Sequence, residues 1–256
     1  MSGIRTFLAA VQFLTTLPVS TAFTSDEIGR SAPWFPVVGL AVGGLVAIAD
    51  LAARNVGLPW SVRTVLAVAM LAVLSGGLHL DGLADTADGF FSSRTPDRIL
   101  EIMRDSRIGS MGVLALALVL GLKAAAIAEL AQGGARTGAL LLAPVFGRAL
   151  QVAGLTWMPY ARPEGGLASV FLPHRSIYFG IISCAIPALS AGLVFGRTFA
   201  LALAAAVSLL VAWWARACRN TIGGMTGDTL GALSELGEAL VLVVFAWNLP
   251  DGGRCG

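Results

Sequence analysis

Charged side chains are scarce in this sequence: they make up 12% of its 256 residues, whereas 56% are hydrophobic. Soluble domains carry about 25% charged residues. A chain with so few charges cannot keep a folded surface in water, which excludes an ordinary soluble domain and favours a protein that lives in the lipid bilayer. The net charge of only +2 also lacks the basic excess that nucleic-acid binding requires, so we expect no nucleic-acid partner.

Lysine and cysteine are rarer still. Lys123 is the single lysine, against sixteen arginines, and this bias suits pairing with carboxylates or phosphates. The three cysteines are Cys184, Cys218 and Cys255, and they lack the close spacing of a metal site. The sequence therefore predicts neither a zinc site nor a disulfide framework.

Long apolar runs dominate the chain. A spanning helix needs about 20 mostly apolar residues. The stretches that meet this requirement are 33–53, 61–80, 109–131, 137–159, 176–195, 198–217 and 229–249. In the first 18 residues, apolar side chains recur at near-helical spacing with Arg5 as the only charge, which favours an amphipathic interfacial helix over a signal peptide. We predict an all-α, polytopic transmembrane bundle of about seven spanning helices plus this N-terminal helix at 1–18, forming one domain over 1–256.

Arginine distribution predicts the orientation. With seven spans, the N-terminus and the polar breaks at 81–108, 160–175 and 218–228 lie on one side of the membrane. That side holds ten arginines and the other holds five. Because arginine and lysine accumulate on the cytoplasmic side, we expect the three breaks to face the cytoplasm.

Three aspartates open the longest polar break. Asp81, Asp85 and Asp88 stand at i, i+4 and i+7, which places them within an arc of about 60° on one helix face. Capping of a helix start explains one or two of them but not the third. Carboxylates stacked in this way repel one another unless a cation binds, and all-oxygen ligands favour Mg²⁺, with Mn²⁺ as an alternative. The pattern predicts a metal site.

The charged stretch that follows has two interpretations. Thr95, Pro96 and Asp97 form a helix start, and Arg104, Asp105 and Arg107 come near the end of the amphipathic segment. Guanidinium groups beside a metal–carboxylate site are well suited to phosphate oxygens. A solvated charged face explains the same residues equally well, so both interpretations stay open.

A second polar group lies in the last span. Asp228 follows a glycine-rich turn, and Glu235 and Glu238 lie within an apolar stretch, where ionisable groups usually face a polar interior. The glutamates either bind metal, pair with Lys123 or Arg148, or orient a nucleophile. His79, two residues before Asp81, is either a hydrogen-bonded neighbour of the aspartates or a catalytic base.

Carboxylates, a hard cation and arginines at one membrane face indicate phosphoryl or nucleotidyl transfer. The pattern of the CDP-alcohol phosphotransferases is not completed here: Asp81-Gly82-Leu83-Ala84 opens it, but Asp85 stands where that pattern needs arginine. A different phosphotransferase of that type stays an alternative. A transporter is another, in which intramembrane charges would form the pathway.

Three segments carry a closer resemblance. They are GLHLDGLADTADGFF at 77–91, RILEIMRDSRIGSMGVLAL at 98–116 and GGMTGDTLGALSELGE at 223–238, supported by FLAAVQFLTTLPV and WFPVVGL near the N-terminus. With them the chain resembles the cobalamin-5′-phosphate synthases, also called adenosylcobinamide-GDP ribazoletransferases. The match covers both ends and the centre of the chain and lacks no charged motif residue.

The resemblance implies the last joining step of cobamide assembly in the bacterial cytoplasmic (inner) membrane. A hydroxyl of α-ribazole, or of its 5′-phosphate, would attack the phosphorus attached to cobinamide in adenosylcobinamide-GDP and release GMP, with Mg²⁺ present. It leaves open a homo-oligomer and association with other cobamide-assembly enzymes. The expected roles are metal binding by Asp81, Asp85 and Asp88, catalysis by Asp81, Asp85 and Asp105, and substrate binding by His79, Arg104, Arg107, Asp228 and Glu235.

Overall fold

The computed structural model describes residues 3–130, 134–162 and 164–247, and these residues form an all-helical bundle. The α-helices, in chain order, are α1 (Gly3–Leu14), α2 (Ser25–Gly29), α3 (Phe35–Asn55), α4 (Trp60–Leu74), α5 (Leu78–Phe90), α6 (Pro96–Ile102), α7 (Ser110–Glu129), α8 (Gly134–Trp157), α9 (Ile177–Phe195), α10 (Arg197–Ile222) and α11 (Gly227–Trp247). Short 3-10 helices cover Ala32–Trp34 and Leu167–His174. Within the described ranges, β-pairing is limited to one isolated bridge between Tyr160 and Met225.

The predicted architecture is confirmed. Within the described ranges, six helices are long and apolar enough to cross a membrane, and α4 and α5 meet the same test when taken as a pair. Residue 131 of one predicted span and residues 248 and 249 of another lie outside the described residues. The short apolar helix α1 is also present, although its position in the membrane interface stays a prediction and residues 1 and 2 are not described.

One predicted span, 61–80, is wrong as a straight helix. Helix α4 ends at Leu74, and α5 starts at Leu78 after a bend of 87°. Gly76 and Gly77 in the break have φ values of 61° and 72°, a left-handed conformation that side chains with a Cβ disfavour. The apolar pattern continues through the break, so hydropathy alone could not reveal it. As a result, the helix with the three aspartates lies almost perpendicular to α4.

Helices α8 and α11 lie at the centre of the bundle, and the apolar residues of both are largely buried. Helices α3, α9 and α10 are more peripheral and expose large apolar side chains such as Ile48, Leu193 and Leu209. A soluble protein would have to bury such a surface. Around a transmembrane bundle it is the surface that contacts lipid. The chain is therefore a multi-pass membrane protein.

The three polar breaks meet on one side of the bundle, as predicted. The Ala161 N–H donates to the Met225 carbonyl oxygen at 2.8 Å, which joins the 160–175 and 218–228 breaks. Arg104 in the 81–108 break forms an ion pair with Glu164. The chain after α1 reaches the same side, because the Thr16 N–H donates to the Leu74 carbonyl oxygen at 2.9 Å.

Candidate functional site

Four aspartates from two helices converge on this side of the bundle. Asp81, Asp85 and Asp88 lie on α5, and Asp228 lies in the first turn of α11. The Asp85 carboxylate is close enough to those of Asp81, Asp88 and Asp228 for charge repulsion, and the Asp228 carboxylate interacts with that of Asp81 in the same way. We call these four residues the acid cluster. The sequence predicted the α5 triad as a group, and the structure adds Asp228 to it.

A close crossing of α5 and α11 produces this convergence. A Cβ atom added to Gly82 would lie 2.7 Å from the Asp228 carbonyl oxygen, closer than nonbonded atoms can approach. Glycine at position 82 therefore lets the two backbones touch. Since Asp81 is the residue next to Gly82 and Asp228 is the residue at the contact, the crossing brings their carboxylates to the same site.

Arg162 is the cation nearest to the acid cluster. Its Nη2 atom lies 2.8 Å from Asp228 Oδ2, and its charge also acts on Asp85. Sequence reasoning did not single out Arg162. An available signal was that a buried aspartate at the start of an apolar span needs a cationic partner. The 160–175 break supplies that partner through its bridge to Met225.

The members of the acid cluster differ in their hydrogen bonds. Asp88 accepts the Gly109 N–H at 2.7 Å and the Gly112 N–H at 2.8 Å, so it satisfies two free backbone donors at the start of α7. In the described part of the chain, the carboxylates of Asp81 and Asp85 have neither a hydrogen bond nor an ion pair. These two carboxylates are therefore free to act on a ligand, whereas Asp88 is already engaged.

A groove joins the acid cluster to the second predicted motif. Asp81 and Asp85 form one wall, and the segment 103–108, with Arg104 and Asp105, forms the other. The structure therefore brings together two motifs that are separated in the sequence by the α5–α6 turn and helix α6.

Opposite Asp81 and Asp85, the two charged residues that line the groove, Arg104 and Asp105, are already paired with residues outside it. Arg107 Nη2 lies 2.6 Å from Asp105 Oδ2, and its hydrogen bonds hold the pKa of Asp105 down to about 2. A carboxylate with so low a pKa is a weak proton acceptor, so Asp105 could act as a base only after it leaves Arg107, and its predicted catalytic role stays a prediction. Arg104, paired with Glu164, remains partly exposed, and Arg107 is largely exposed.

The glutamates of α11 form a separate group in the bundle interior. Lys123 Nζ lies 2.7 Å from Glu235 Oε2 and 2.6 Å from Glu238 Oε2, and Arg148 also pairs with Glu238. All four side chains are at least 95% buried. We call them the interior ion cluster. Of the interpretations left open for these glutamates, the structure shows pairing, and a role of Glu235 in substrate binding stays untested.

His79 lines a second cavity, which shares Asp81 with the groove. The cavity lies between α5, the end of α1, the Leu167–His174 segment and the start of α11. His79 is 1% exposed, and neither of its ring nitrogens has a hydrogen-bond partner among the described residues, so the structure does not show it as a hydrogen-bonded neighbour of the aspartates.

The donor chemistry of the acid cluster suits a hard divalent cation. All its side-chain donors are carboxylate oxygens, which Mg²⁺ and Mn²⁺ prefer. Among residues 3–130, 134–162 and 164–247, no three His, Cys, Asp or Glu side chains are close enough to hold a metal ion as they stand. Binding would therefore require side-chain rotations, for which the unpaired carboxylates of Asp81 and Asp85 are available.

Fold and site together define a multi-pass membrane protein with a cluster of acidic residues on one face. Residues 6–246 match the sequence model of the family described as cobalamin-5-phosphate synthase. The chain belongs to this family, which confirms the resemblance and makes the protein a transferase of cobalamin biosynthesis.

Individual relatives agree along nearly their whole length. An adenosylcobinamide-GDP ribazoletransferase of Roseiflexus sp. (strain RS-1) is 45% identical, over 94% of this chain and 89% of the relative. One of Klebsiella pneumoniae (strain 342) is 42% identical, over 94% and 98%. One of Clostridium botulinum (strain Kyoto / Type A2) is 37% identical, over 95% and 98%. No solved structure matches the chain.

Proposed function

We propose that this chain joins α-ribazole, or its 5′-phosphate, to adenosylcobinamide-GDP and releases GMP. A hydroxyl oxygen of the ribazole attacks the phosphorus that is attached to cobinamide. A new O–P bond forms, the bond from that phosphorus to the GMP oxygen breaks, and the hydroxyl proton passes to a base. The product is adenosylcobalamin or its 5′-phosphate.

The unpaired carboxylates of Asp81 and Asp85 are the observation that carries this proposal. In a structural site, buried acids are matched by cations and hydrogen-bond donors. Here the acid cluster holds four carboxylates beside one guanidinium, that of Arg162, and two of the four carboxylates have no partner among the described residues. This excess of negative charge suits an enzyme that binds its phosphate substrate together with a divalent cation.

In the proposal Asp81 and Asp85 bind Mg²⁺, or Mn²⁺ in its place, with Asp228 as the nearest further oxygen donor. The cation, when bound, neutralises charge on the pyrophosphate and on the leaving phosphate. Asp88 contributes by fixing α5 against the start of α7, and only its remaining lone pairs are available to metal. Asp105 is proposed to accept the proton once Arg107 has exchanged it for a phosphate.

Arg104 and Arg107 bind phosphate oxygens. Arg104 lines the groove opposite Asp81 and Asp85, and Arg107 follows in the same segment. Both are exposed enough to exchange Glu164 and Asp105 for a phosphate. A planar guanidinium binds phosphate with two parallel hydrogen bonds, which a lysine cannot do. Glu235 supports the site indirectly in this scheme, by keeping α7 and α11 together through Lys123.

We place the acid cluster on the cytoplasmic side of a bacterial inner membrane, where nucleotide substrates are available. The arginine excess on that side supports this orientation. Neither alternative function, a transporter or a CDP-alcohol-type phosphotransferase, has a specific observation in its favour. In a transporter, intramembrane charges would form the pathway, but Lys123, Arg148, Glu235 and Glu238 are paired with one another. The family model that matches the chain is not that of the CDP-alcohol phosphotransferases.

The test is GMP release by purified protein with adenosylcobinamide-GDP, α-ribazole phosphate and Mg²⁺. We expect release only when both substrates and the cation are present. For an Asp-to-Asn substitution in the acid cluster, Asp97→Asn is the matched control, because Asp97 is an exposed aspartate on α6 that lines neither the groove nor the cavity beside His79. Absence of GMP release from a folded, metal-supplied protein would refute the proposal.

The orientation is tested in cells by cysteine labelling. An external thiol reagent should label Asn55→Cys and spare Ser93→Cys in a background without the native cysteines. The reverse pattern would refute the orientation.

A further inference from the structure

The cavity beside Asp81 has apolar aromatic walls. Phe13 from α1, Phe35 from α3 and Phe171 from the 3-10 helix pack together, with ring centroids 5.1–6.0 Å apart. All three line the cavity, together with Leu155. We call it the aromatic cavity. Segments far apart in the sequence are needed to build it, so it is a feature of the tertiary fold rather than of one motif.

Two buried polar groups face this apolar space. In the described part of the chain, both ring nitrogens of His79 and the side-chain oxygen of Gln151 lack a hydrogen-bond partner. His79 is 1% exposed and Gln151 is 5% exposed, and both line the aromatic cavity. Buried polar groups are almost always hydrogen-bonded, because leaving one unpaired costs free energy. Their position indicates that a ligand supplies the missing partners.

The number of polar groups limits the ligand. A neutral imidazole offers one N–H donor and one acceptor, and an amide oxygen offers one acceptor. Guanine carries donors and acceptors on most of its edges, and those that do not reach Asp81, Arg162 or Asp228 on the polar side of the cavity would face phenylalanine and leucine without partners. A benzimidazole nucleoside carries an apolar bicycle with one free ring nitrogen. That nitrogen matches the His79 donor, and a ribose hydroxyl matches the Gln151 oxygen.

We infer that the aromatic cavity binds the benzimidazole base of the nucleoside substrate, with His79 donating a hydrogen bond to its free ring nitrogen. The inference rests on the proposed function for the identity of the nucleoside. Asp81, Arg162 and Asp228 line the same cavity on its polar side, so the ribose faces the acid cluster. Asp81 also lines the groove, and the attacking hydroxyl therefore enters between the base site and the phosphate site.

Direct binding tests this assignment without any chemistry. The full chain in detergent is titrated calorimetrically with α-ribazole, in the absence of metal and of cobinamide substrate. We expect binding that excess GMP does not displace. His79→Phe keeps the size of the ring and removes both nitrogens, and we expect it to weaken α-ribazole binding at least tenfold. His174→Phe is the matched control: His174 does not line the cavity, and we expect unchanged binding.

Steady-state kinetics give a second readout. His79→Phe should raise the KM for α-ribazole at least tenfold and leave the KM for adenosylcobinamide-GDP within twofold. If His79→Phe does not fold, Gln151→Leu replaces it, with the same division between the two KM values expected. Unchanged α-ribazole binding in a folded variant, displacement by GMP, or an effect confined to the cobinamide substrate would overturn the inference.

The outcomes separate the inference from the proposed function. If wild-type protein releases no GMP, the proposed function fails, whereas the binding titration still decides whether the cavity takes a benzimidazole nucleoside. If wild-type protein is active and the variants affect only the cobinamide substrate, the cavity assignment fails alone.

Discussion

The acid cluster and the interior ion cluster contain similar side chains in opposite electrostatic states. In the interior ion cluster, two glutamates meet one lysine and one arginine, and every carboxylate has a partner within the protein. In the acid cluster, four carboxylates meet one arginine, and Asp81 and Asp85 have no partner among the described residues. Both lie on or beside apolar helices. On this difference in charge balance rests our interpretation that the interior ion cluster is structural and our proposal that the acid cluster is the functional site.

The strongest test of this comparison is Asp81→Asn. Loss of one unpaired carboxylate should reduce GMP release on the order of 10²–10³-fold, comparable to removal of a single group that stabilises a transition state. The melting temperature should be unchanged or slightly higher, since repulsion within the acid cluster falls. GMP release at several Mg²⁺ concentrations and a thermal-shift assay measure both. A fully active Asp81→Asn protein would mean that the unpaired carboxylate has no role in turnover.

Lys123→Met should give the opposite pattern in the interior ion cluster. It leaves Glu235 without its cation, and removal of one partner from a buried pair costs about 3–5 kcal/mol. We expect a clear fall in melting temperature, with activity lost only in proportion to unfolded protein. The double variant Lys123→Met/Glu235→Gln should recover part of the stability. Retained stability with selective loss of activity would show instead that the interior charges take part in function.

Arg162→Gln tests whether the guanidinium beside the acid cluster affects activity and the Mg²⁺ requirement. Without the guanidinium, Asp228 loses a charge-assisted hydrogen bond of about 1.5 kcal/mol, so kcat/KM should fall roughly tenfold. The acid cluster also becomes more negative, so half-maximal activity should need less Mg²⁺. Arg162→Lys retains the charge and should keep the wild-type Mg²⁺ requirement. An unchanged Mg²⁺ requirement in Arg162→Gln would show that Arg162 does not act on the cation site.

The smallest effect concerns Glu27, a paired acid on the short helix α2, outside the spanning helices. Arg5 and the backbone N–H of Thr24 hold the pKa of Glu27 down to about 2. A lowered pKa stabilises the fold above the unfolded-state pKa of about 4.3. The wild-type protein should therefore melt slightly above Glu27→Gln at neutral pH, and the gap should close as pH falls from about 4 towards 2. Melting curves across this range measure the gap, and a gap that is undiminished at pH 2 would contradict the assigned pKa.

Periodicity was sufficient to predict most of the architecture but not the break before the acidic helix. The apolar stretches and the helical spacing of Asp81, Asp85 and Asp88 are local properties, and in the described residues the structure keeps six of the seven stretches as single helices and the three aspartates on one helix. The bend of 87° depends on two glycines with left-handed backbone in an apolar setting, where a hydropathy pattern shows no change.

The candidate site likewise combines residues that the sequence could predict with contacts between distant segments that it could not. The triad and the Arg104–Arg107 motif are visible in the sequence because their residues are close together. Asp228 and Arg162 become partners only through the Tyr160–Met225 bridge. The task of Asp88 at the start of α7 depends on a contact across 21 and 24 residues. Contacts of this kind have no signature in the spacing of one segment.

The backbone contact at Gly82 has a consequence for how this protein can vary. Because no side chain separates α5 from the Asp228 backbone, there is nothing at the crossing that a substitution could trim or repack to change the gap by small steps. Any larger residue at position 82 must push the whole of α5 away and carry Asp81 and Asp85 with it. The backbone contact thus fixes the distance between the acidic side chains of α5 and that of Asp228. We therefore expect substrate preference to vary through the residues that line the groove and the aromatic cavity.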